Sequence, residues 1–309
     1  MRGVYNERVL QVRGQGNNNC SCKIQPARQV CRIPPKGKRS DIMAIWNIEF
    51  TGKKPKLTNP VFLEGLPGIG NVGKLAVDFI IEEIKAKKIA EFTSHSFPHS
   101  VFINEDNLVE LPTIEVYYKK FKNKKKDLLL LAGDVQPIDE QSCYEFSSKV
   151  LDIAKDFSCK EIVTLGGIAM KTEPKKPVVF CTGNDKDLIK SYKRNMKDIN
   201  NNLYGTIGPI IGVSGVLLGL AGRRNLKAVS LLAETYGHPM YLGIKGTKEI
   251  LKILNKRFSL KLNLKTIDKE IAGMDSELGQ KALTAAEIQR TKAISKLKSK
   301  LGKDCRYIG

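Results

Sequence analysis

A three-layer α/β domain built on a mixed sheet is the fold the sequence predicts for residues 43–264, and three observations predict it. Strand-like and helix-like segments alternate along this stretch, the pattern that places helices on both faces of a sheet. A glycine-rich turn, Gly68-Ile69-Gly70-Asn71-Val72-Gly73, joins an apolar strand to the first helix. Segment 108–119 alternates apolar and polar residues, the mark of a strand with one solvated face, so the sheet reads as mixed rather than wholly parallel.

Met43 opens a strand-like stretch, Ala44-Ile45-Trp46-Asn47-Ile48-Glu49-Phe50, and Val61-Phe62-Leu63-Glu64-Gly65 is the next strand. A helix is predicted over 74–87, then strands over 89–97 and 108–119. Asp127-Leu128-Leu129-Leu130-Leu131-Ala132-Gly133 is apolar throughout after its first residue, as a buried strand must be. A helix over 140–157, strands over 161–166 and 178–182, an apolar helix over 214–222, a strand over 228–235 and an amphipathic helix over 246–257 complete the domain.

The flanks differ from this core. Residues 1–42 contain Gly14-Gln15-Gly16, Asn17-Asn18-Asn19 and Pro34-Pro35 without a sustained apolar period, and are predicted to be a disordered basic extension. Met43 also reads as an alternative start, which would make 1–42 an upstream extension of the reading frame; the sequence leaves both starts open. Residues 265–309 are predicted to be a helical C-terminal extension. In it Thr284-Ala285-Ala286-Glu287 forms a capping box that starts a second tail helix after a break near Gly279.

The formal net charge is +20. Residues 1–42 supply +7 of it, nine Lys/Arg against Glu7 and Asp41. Much of the rest sits in Lys119-Lys120-Phe121-Lys122-Asn123-Lys124-Lys125-Lys126 and after Arg290. Such runs either bind phosphates or form solvated surface. No nucleic-acid motif and no stacking aromatics accompany them, which argues against a nucleic-acid partner. The first ten residues lack the apolar core of a signal peptide, and the longest apolar run, 207–221, is too short to cross a bilayer. The prediction is a cytoplasmic protein with no membrane contact. Of seven cysteines, Cys20, Cys22 and Cys31 cluster, but no fourth Cys or His lies near to complete a zinc site, so no metal is predicted. No cofactor is predicted either.

Gly68, Gly70 and Gly73 match the dinucleotide-binding fingerprint, in which glycines let the backbone approach pyrophosphate. That reading requires an acid at the end of the following strand, and there the chain offers Ser94, His95 and Ser96. The competing reading is structural: Gly65, Pro67, Gly68, Gly70 and Gly73 form a tight strand-to-helix turn needing positive φ and close packing. Gly208, Gly212, Gly215 and Gly219 recur at helical spacing and, read as a helix from Pro209, predict a stripe for close approach of another element or subunit. Asp134, Glu234 and His238 stand at strand ends, where open α/β sheets bind ligands, and are the candidates for a cleft. No nucleophile–base pair accompanies them, and Ser214, in Gly212-Val213-Ser214-Gly215-Val216, misses the nucleophile-elbow pattern.

Three segments in this order, Gly65-Leu66-Pro67-Gly68-Ile69-Gly70-Asn71-Val72-Gly73, Gly208-Pro209-Ile210-Ile211-Gly212-Val213-Ser214-Gly215-Val216 and Ala233-Glu234-Thr235-Tyr236-Gly237-His238-Pro239, resemble the proteasome assembly chaperone family in its archaeal branch. The resemblance spans roughly 46–263. It implies a phosphorylase/hydrolase-like fold without catalytic role, self-association into a homo-oligomer, and proteasome α subunits as partners. Members are sometimes labelled ATP-grasp ligases, but no nucleotide-binding lysine or metal-binding acid pattern supports that label here. Some members dock a C-terminal hydrophobic–Tyr–any tail between α subunits. Tyr307, Ile308 and Gly309 are similar, although the tyrosine stands third from the end and Arg306 precedes it. The opposing reading is an enzyme, a hydrolase, phosphorylase or ATP-dependent ligase, using the strand-end cleft.

Overall fold

The computed structural model describes residues 46–122, 126–194, 196, 199–200, 203, 208–239 and 241–275. The predicted extension 1–42, the second tail helix with its capping box, and Tyr307, Ile308 and Gly309 lie outside the described residues.

In chain order the elements are β1 (Trp46–Phe50), β2 (Val61–Gly65), a 3-10 turn (Ile69–Asn71), α1 (Val72–Glu83), β3 (Lys87–Ser94), β4 (Phe102–Ile103), β5 (Val109–Glu110), β6 (Ile114–Lys119) and β7 (Leu128–Gly133). There follow α2 (Glu140–Asp156), β8 (Glu161–Met170), β9 (Val179–Gly183), α3 (Lys186–Lys193), β10 (Ile199–Asn200), α4 (Val213–Arg223), β11 (Lys227–Tyr236), α5 (Ile244–Phe258) and α6 (Lys265–Asp275). Among the described residues nine strands form one sheet in the order β1-β3-β6-β7-β2-β8-β11-β9-β10. The centre β7-β2-β8-β11 is parallel. Antiparallel pairs flank it on both sides, so the mixed sheet is as predicted.

The sequence dictates this layering. β2 and β7 are buried over their whole length, which only central strands covered on both faces allow. Val61, Leu63 and Leu130 pack with Leu75 and Ile80 of α1 and Leu251 and Leu254 of α5. Phe62, Leu129 and Leu131 pack with Phe146 and Val150 of α2 and Leu217 of α4 on the opposite face. In β6, Ile114 and Val116 are buried while Glu115 and Tyr117 are only partly so.

Three expectations need correction, and one helix is additional to them. Segment 108–119 is not one strand: residues 111–113 interrupt it, and its first part is β5, which pairs with β4 in a separate hairpin. Pro112 has no N–H to give to a ladder. Strand 161–166 continues to Met170, because Gly166 and Gly167 stay in register opposite Leu232 and Ala233. Helix α3 was not anticipated; Asp185 caps it by accepting from the Leu188 amide at 2.7 Å. The apolar helix stands where 214–222 predicts it, but the glycine stripe read from Pro209 does not form, since Gly212 takes φ +85° just ahead of Val213. Gly208 and Gly212 therefore precede the helix, and no continuous helical stripe runs through all four glycines. Within α4, a Cβ on Gly215 would fall 2.1 Å from the Ile210 carbonyl oxygen, whereas Gly219 faces open space.

Candidate functional site

β2, β7, β8 and β11 all point their carboxyl ends to one edge of the sheet, and three connections meet there. Gln136, after β7, donates from Nε2 to the Pro67 carbonyl at 2.8 Å and accepts at Oε1 from the Val213 amide at 3.2 Å. This amide side chain thus ties together the glycine turn after β2, the start of α2 and the start of α4. The turn itself closes on packing. Gly70 has φ +61°, and a Cβ on Gly73 would lie 2.3 Å from the Leu165 carbonyl oxygen. Helix α1 can therefore start directly against β8 only if position 73 has no side chain. A Cβ on Gly65 would meet the Gly73 carbonyl oxygen at 2.3 Å, while Gly68 is extended and has free space.

Beneath this edge lies Glu64, wholly buried. Because Val61 and Leu63 face α1, Phe62 and Glu64 face α2 and α4. The Glu64 carboxylate accepts from Ser214 Oγ at 2.8 Å and from the Leu66 amide at 3.0 Å. Burial pushes its pKa up from 4.5 to about 7, against the smaller lowering effects of those two hydrogen bonds. Opposite Glu64 in the sheet stands Thr164, and opposite Thr164 stands Ser230. Neither Thr164 Oγ1 nor Ser230 Oγ finds a hydrogen-bond partner among the described residues. A polar seam therefore crosses three strands inside an otherwise apolar layer.

The three cleft candidates fall into separate surroundings. Asp134 accepts from Thr113 Oγ1 at 2.9 Å and from the Thr113 amide at 3.2 Å, and lies 3.5 Å from Lys74 Nζ. Lys74 also pairs with Asp78 at 3.0 Å, one helical turn on. Glu234 accepts from the Val178 amide at 3.0 Å and so fastens β11 to the chain entering β9. His238 is exposed and stacks on Tyr236 at 5.8 Å between ring centres. Three strand steps separate β7 from β11, roughly 14 Å at the usual strand spacing, so Asp134 and Glu234 cannot act on one bond. Sequence reasoning singles out these residues, weighs Ser214 only as a nucleophile, and misses Glu64, Gln136 and Lys74. A lone acid inside the apolar run Val61-Phe62-Leu63-Glu64 was the available signal.

The described cysteines offer no reactive thiolate. Burial raises Cys143, and pushes Cys159 to about 12 and Cys181 to about 11. Among the described residues no cluster of His, Cys, Asp and Glu could hold a metal ion, and no helix is long and apolar enough to cross a membrane. Three exposed isoleucines stand at this edge beside polar groups such as Asp139, Glu140 and His238. Ile69, Ile138 and Ile211 each lie two residues from a member of the Gln136 knot, and all three are exposed, Ile211 by 86%.

A family model described as the PAC2 family matches residues 62–282. PbaB of Pyrococcus furiosus, described as an archaeal proteasome activator, has a similar structure, with TM-score 0.68 and 30% identity over 83% of this chain and 100% of that one. PbaA of the same organism, described as an archaeal homolog of proteasome-assembly chaperone, gives 0.62 at 23% identity over 82% of this chain and 96% of its own, a likeness of fold. An uncharacterized protein of Methanocaldococcus jannaschii is 26% identical over 253 residues, 82% of this chain and 93% of that one.

Proposed function

Because the chain belongs to the PAC2 family, we propose that it is a non-enzymatic proteasome-assembly or proteasome-binding protein that engages α subunits as a homo-oligomer. The likeness to PbaB over that protein's whole length carries this reading. The strand-end chemistry supports it. Glu64, Asp134 and Glu234 already hold loops and helix starts in place. Glu64, the one with a pKa near neutrality, has no access to solvent. A general acid or base must reach the proton it transfers, and a sealed carboxylate does not.

Within this reading Tyr307, Ile308 and Gly309 are the docking segment, an aromatic anchor followed by an isoleucine and the small Gly309. The test is co-elution with proteasome α subunits of the full chain and of a chain lacking these three residues. Co-elution by the full chain with loss on truncation supports both parts of the reading. Co-elution that survives truncation moves the contact to the folded domain. Absence of co-elution by both chains returns the enzyme reading to first place.

A further inference from the structure

Helices α2 and α4 pack on the same face of the sheet, yet their first turns are fastened differently. Asp139 caps α2 by accepting from the Ser142 amide at 2.8 Å. The start of α4 has no such cap. Two side chains hold it instead: Gln136, which accepts from the Val213 amide, and Glu64, which accepts from Ser214 Oγ. The turn is thinly packed. Val213 is buried, whereas Ser214, Gly215 and Val216 are only half-buried. Gly212, at φ +85°, and Gly215 lie within it, and glycine gains more backbone freedom than other residues when a segment comes loose. Such turns can open locally without global unfolding.

Beneath the turn, Glu64 is closed in by Leu131 of β7, Thr164 of β8, the Leu66 amide and Ser214. Burial and two hydrogen bonds set its acidity, with no contribution from a neighbouring charge. The titratable groups facing it come from α2: Cys143, whose thiol feels the charges of Asp139 and Glu64, and Asp139 itself. Burial holds Cys143 above its ordinary 9.0, and hydrogen bonds from Ser142 hold Asp139 below its ordinary 3.8. Neither therefore changes charge near neutrality.

We propose that the first turn of α4 is a pH-operated flap over Glu64: the neutral acid keeps it shut, and ionisation lifts it to bring water to the carboxylate. A charge sealed in an apolar layer is costly, and water relieves that cost. Thr164 Oγ1, beside Glu64 in the sheet, has no partner among the described residues, so entering water meets two groups that need it. Ser214 can donate to the carboxylate or accept from the neutral acid, so the shut turn suits the neutral form. With the flap lifted, Glu64 returns toward its ordinary 4.5, against about 7 when shut. Between these values lifting releases a proton, so it becomes easier as pH rises and stops changing above 7. Ile211, two residues ahead of the turn and 86% exposed, moves with it. The carboxyl edge then changes form with pH whatever partner it serves.

The test is native-state hydrogen exchange between pH 5 and 8 on the full chain and two variants, Glu64→Gln and Ser214→Ala. The Val216 amide donates to the Gly212 carbonyl at 3.1 Å and so closes the turn. Its protection, and that of the Leu217 amide, should fall about tenfold per pH unit up to pH 7 and then level, while staying below the protection of the β7 amides throughout. Glu64→Gln should remove the fall; it leaves every histidine in place, so a histidine sensor would keep it. Ser214→Ala should lower protection at every pH and keep the fall, since the carboxylate remains. Protection equal to that of β7 would mean that nothing lifts locally, and a fall that persists in Glu64→Gln would place the sensor elsewhere. Either result overturns the proposal, as does wild-type protection that does not change with pH. The wild-type course can fail by itself, so a variant that does not fold leaves the test intact.

Discussion

The two ends of the central sheet are built on opposite principles, although each buries a glutamate on one of two neighbouring strands. At the amino end, Glu161 of β8 is ringed by donors and cations. Tyr192 donates to it, Lys126 lies at 2.9 Å and Arg257 at 3.9 Å, with Arg257 also 4.5 Å over the Tyr192 ring. Burial and the Glu161 charge hold the Tyr192 phenol well above its ordinary range. The surroundings are ionic too, with Lys54 paired to Asp156, Arg224 to Asp152 and Lys227 to Asp185. At the carboxyl end, Glu64 of β2 accepts only neutral hydrogen bonds, from Ser214 and Leu66. One end is an ionic clasp; the other holds a buried carboxylate with no cation beside it in its hydrogen bonds. At the carboxyl end the exposed isoleucines stand beside polar groups already engaged in holding the loops, Asp134, Gln136 and Glu234.

Breaking the clasp is the largest expected effect. Glu161→Ala leaves Tyr192 buried without its acceptor and Arg257 without its carboxylate partner, and should cost about 4 kcal/mol of stability, read as a lowered urea midpoint with an unchanged slope. The next effect separates the two glutamates by pH. Glu64 has a folded pKa of about 7 against an ordinary 4.5, so between these values the folded chain holds more protons than the unfolded chain. The stability it contributes is fully present below pH 4.5 and is lost as pH rises through 7, by roughly 3 kcal/mol in total. Glu64→Gln should flatten that decline in urea midpoints between pH 5 and 7.5; an undiminished slope in the variant would assign the effect elsewhere. Smallest is the effect of Ile138→Asp on folding. Because that side chain is 71% exposed, its melting midpoint at low protein concentration should change by less than about 0.5 kcal/mol equivalent.

The layered architecture was legible because its signals are local. Four consecutive leucines in β7 and the alternation in β6 leave few alternatives for their place in the sheet. Boundaries failed where a tertiary partner decides. Gly166 and Gly167 read as a strand end, but β11 holds them in register. Gly212 sits at helical spacing from Gly208 and Gly215, but its positive φ stops the helix short of it. The candidate site was less legible. Asp134, Glu234 and His238 were found by position alone, and position does not reveal that Thr113, Lys74, Val178 and Tyr236 surround them. Nor did the sequence disclose the Glu64–Ser214 contact, which spans 150 residues. Only the registers linking β2, β8 and β11 show that Glu64, Thr164 and Ser230 lie in one row.

Capture of proteasome α subunits by the wild-type chain and by Glu64→Gln, side by side with an assay for turnover of small ligands, tests the account most directly. If the carboxyl end is a structural plug beneath a protein-binding face, both chains capture α subunits equally and neither turns over a ligand. Failure of both chains to capture α subunits, or a turnover present in the wild type and abolished by Glu64→Gln, would contradict it.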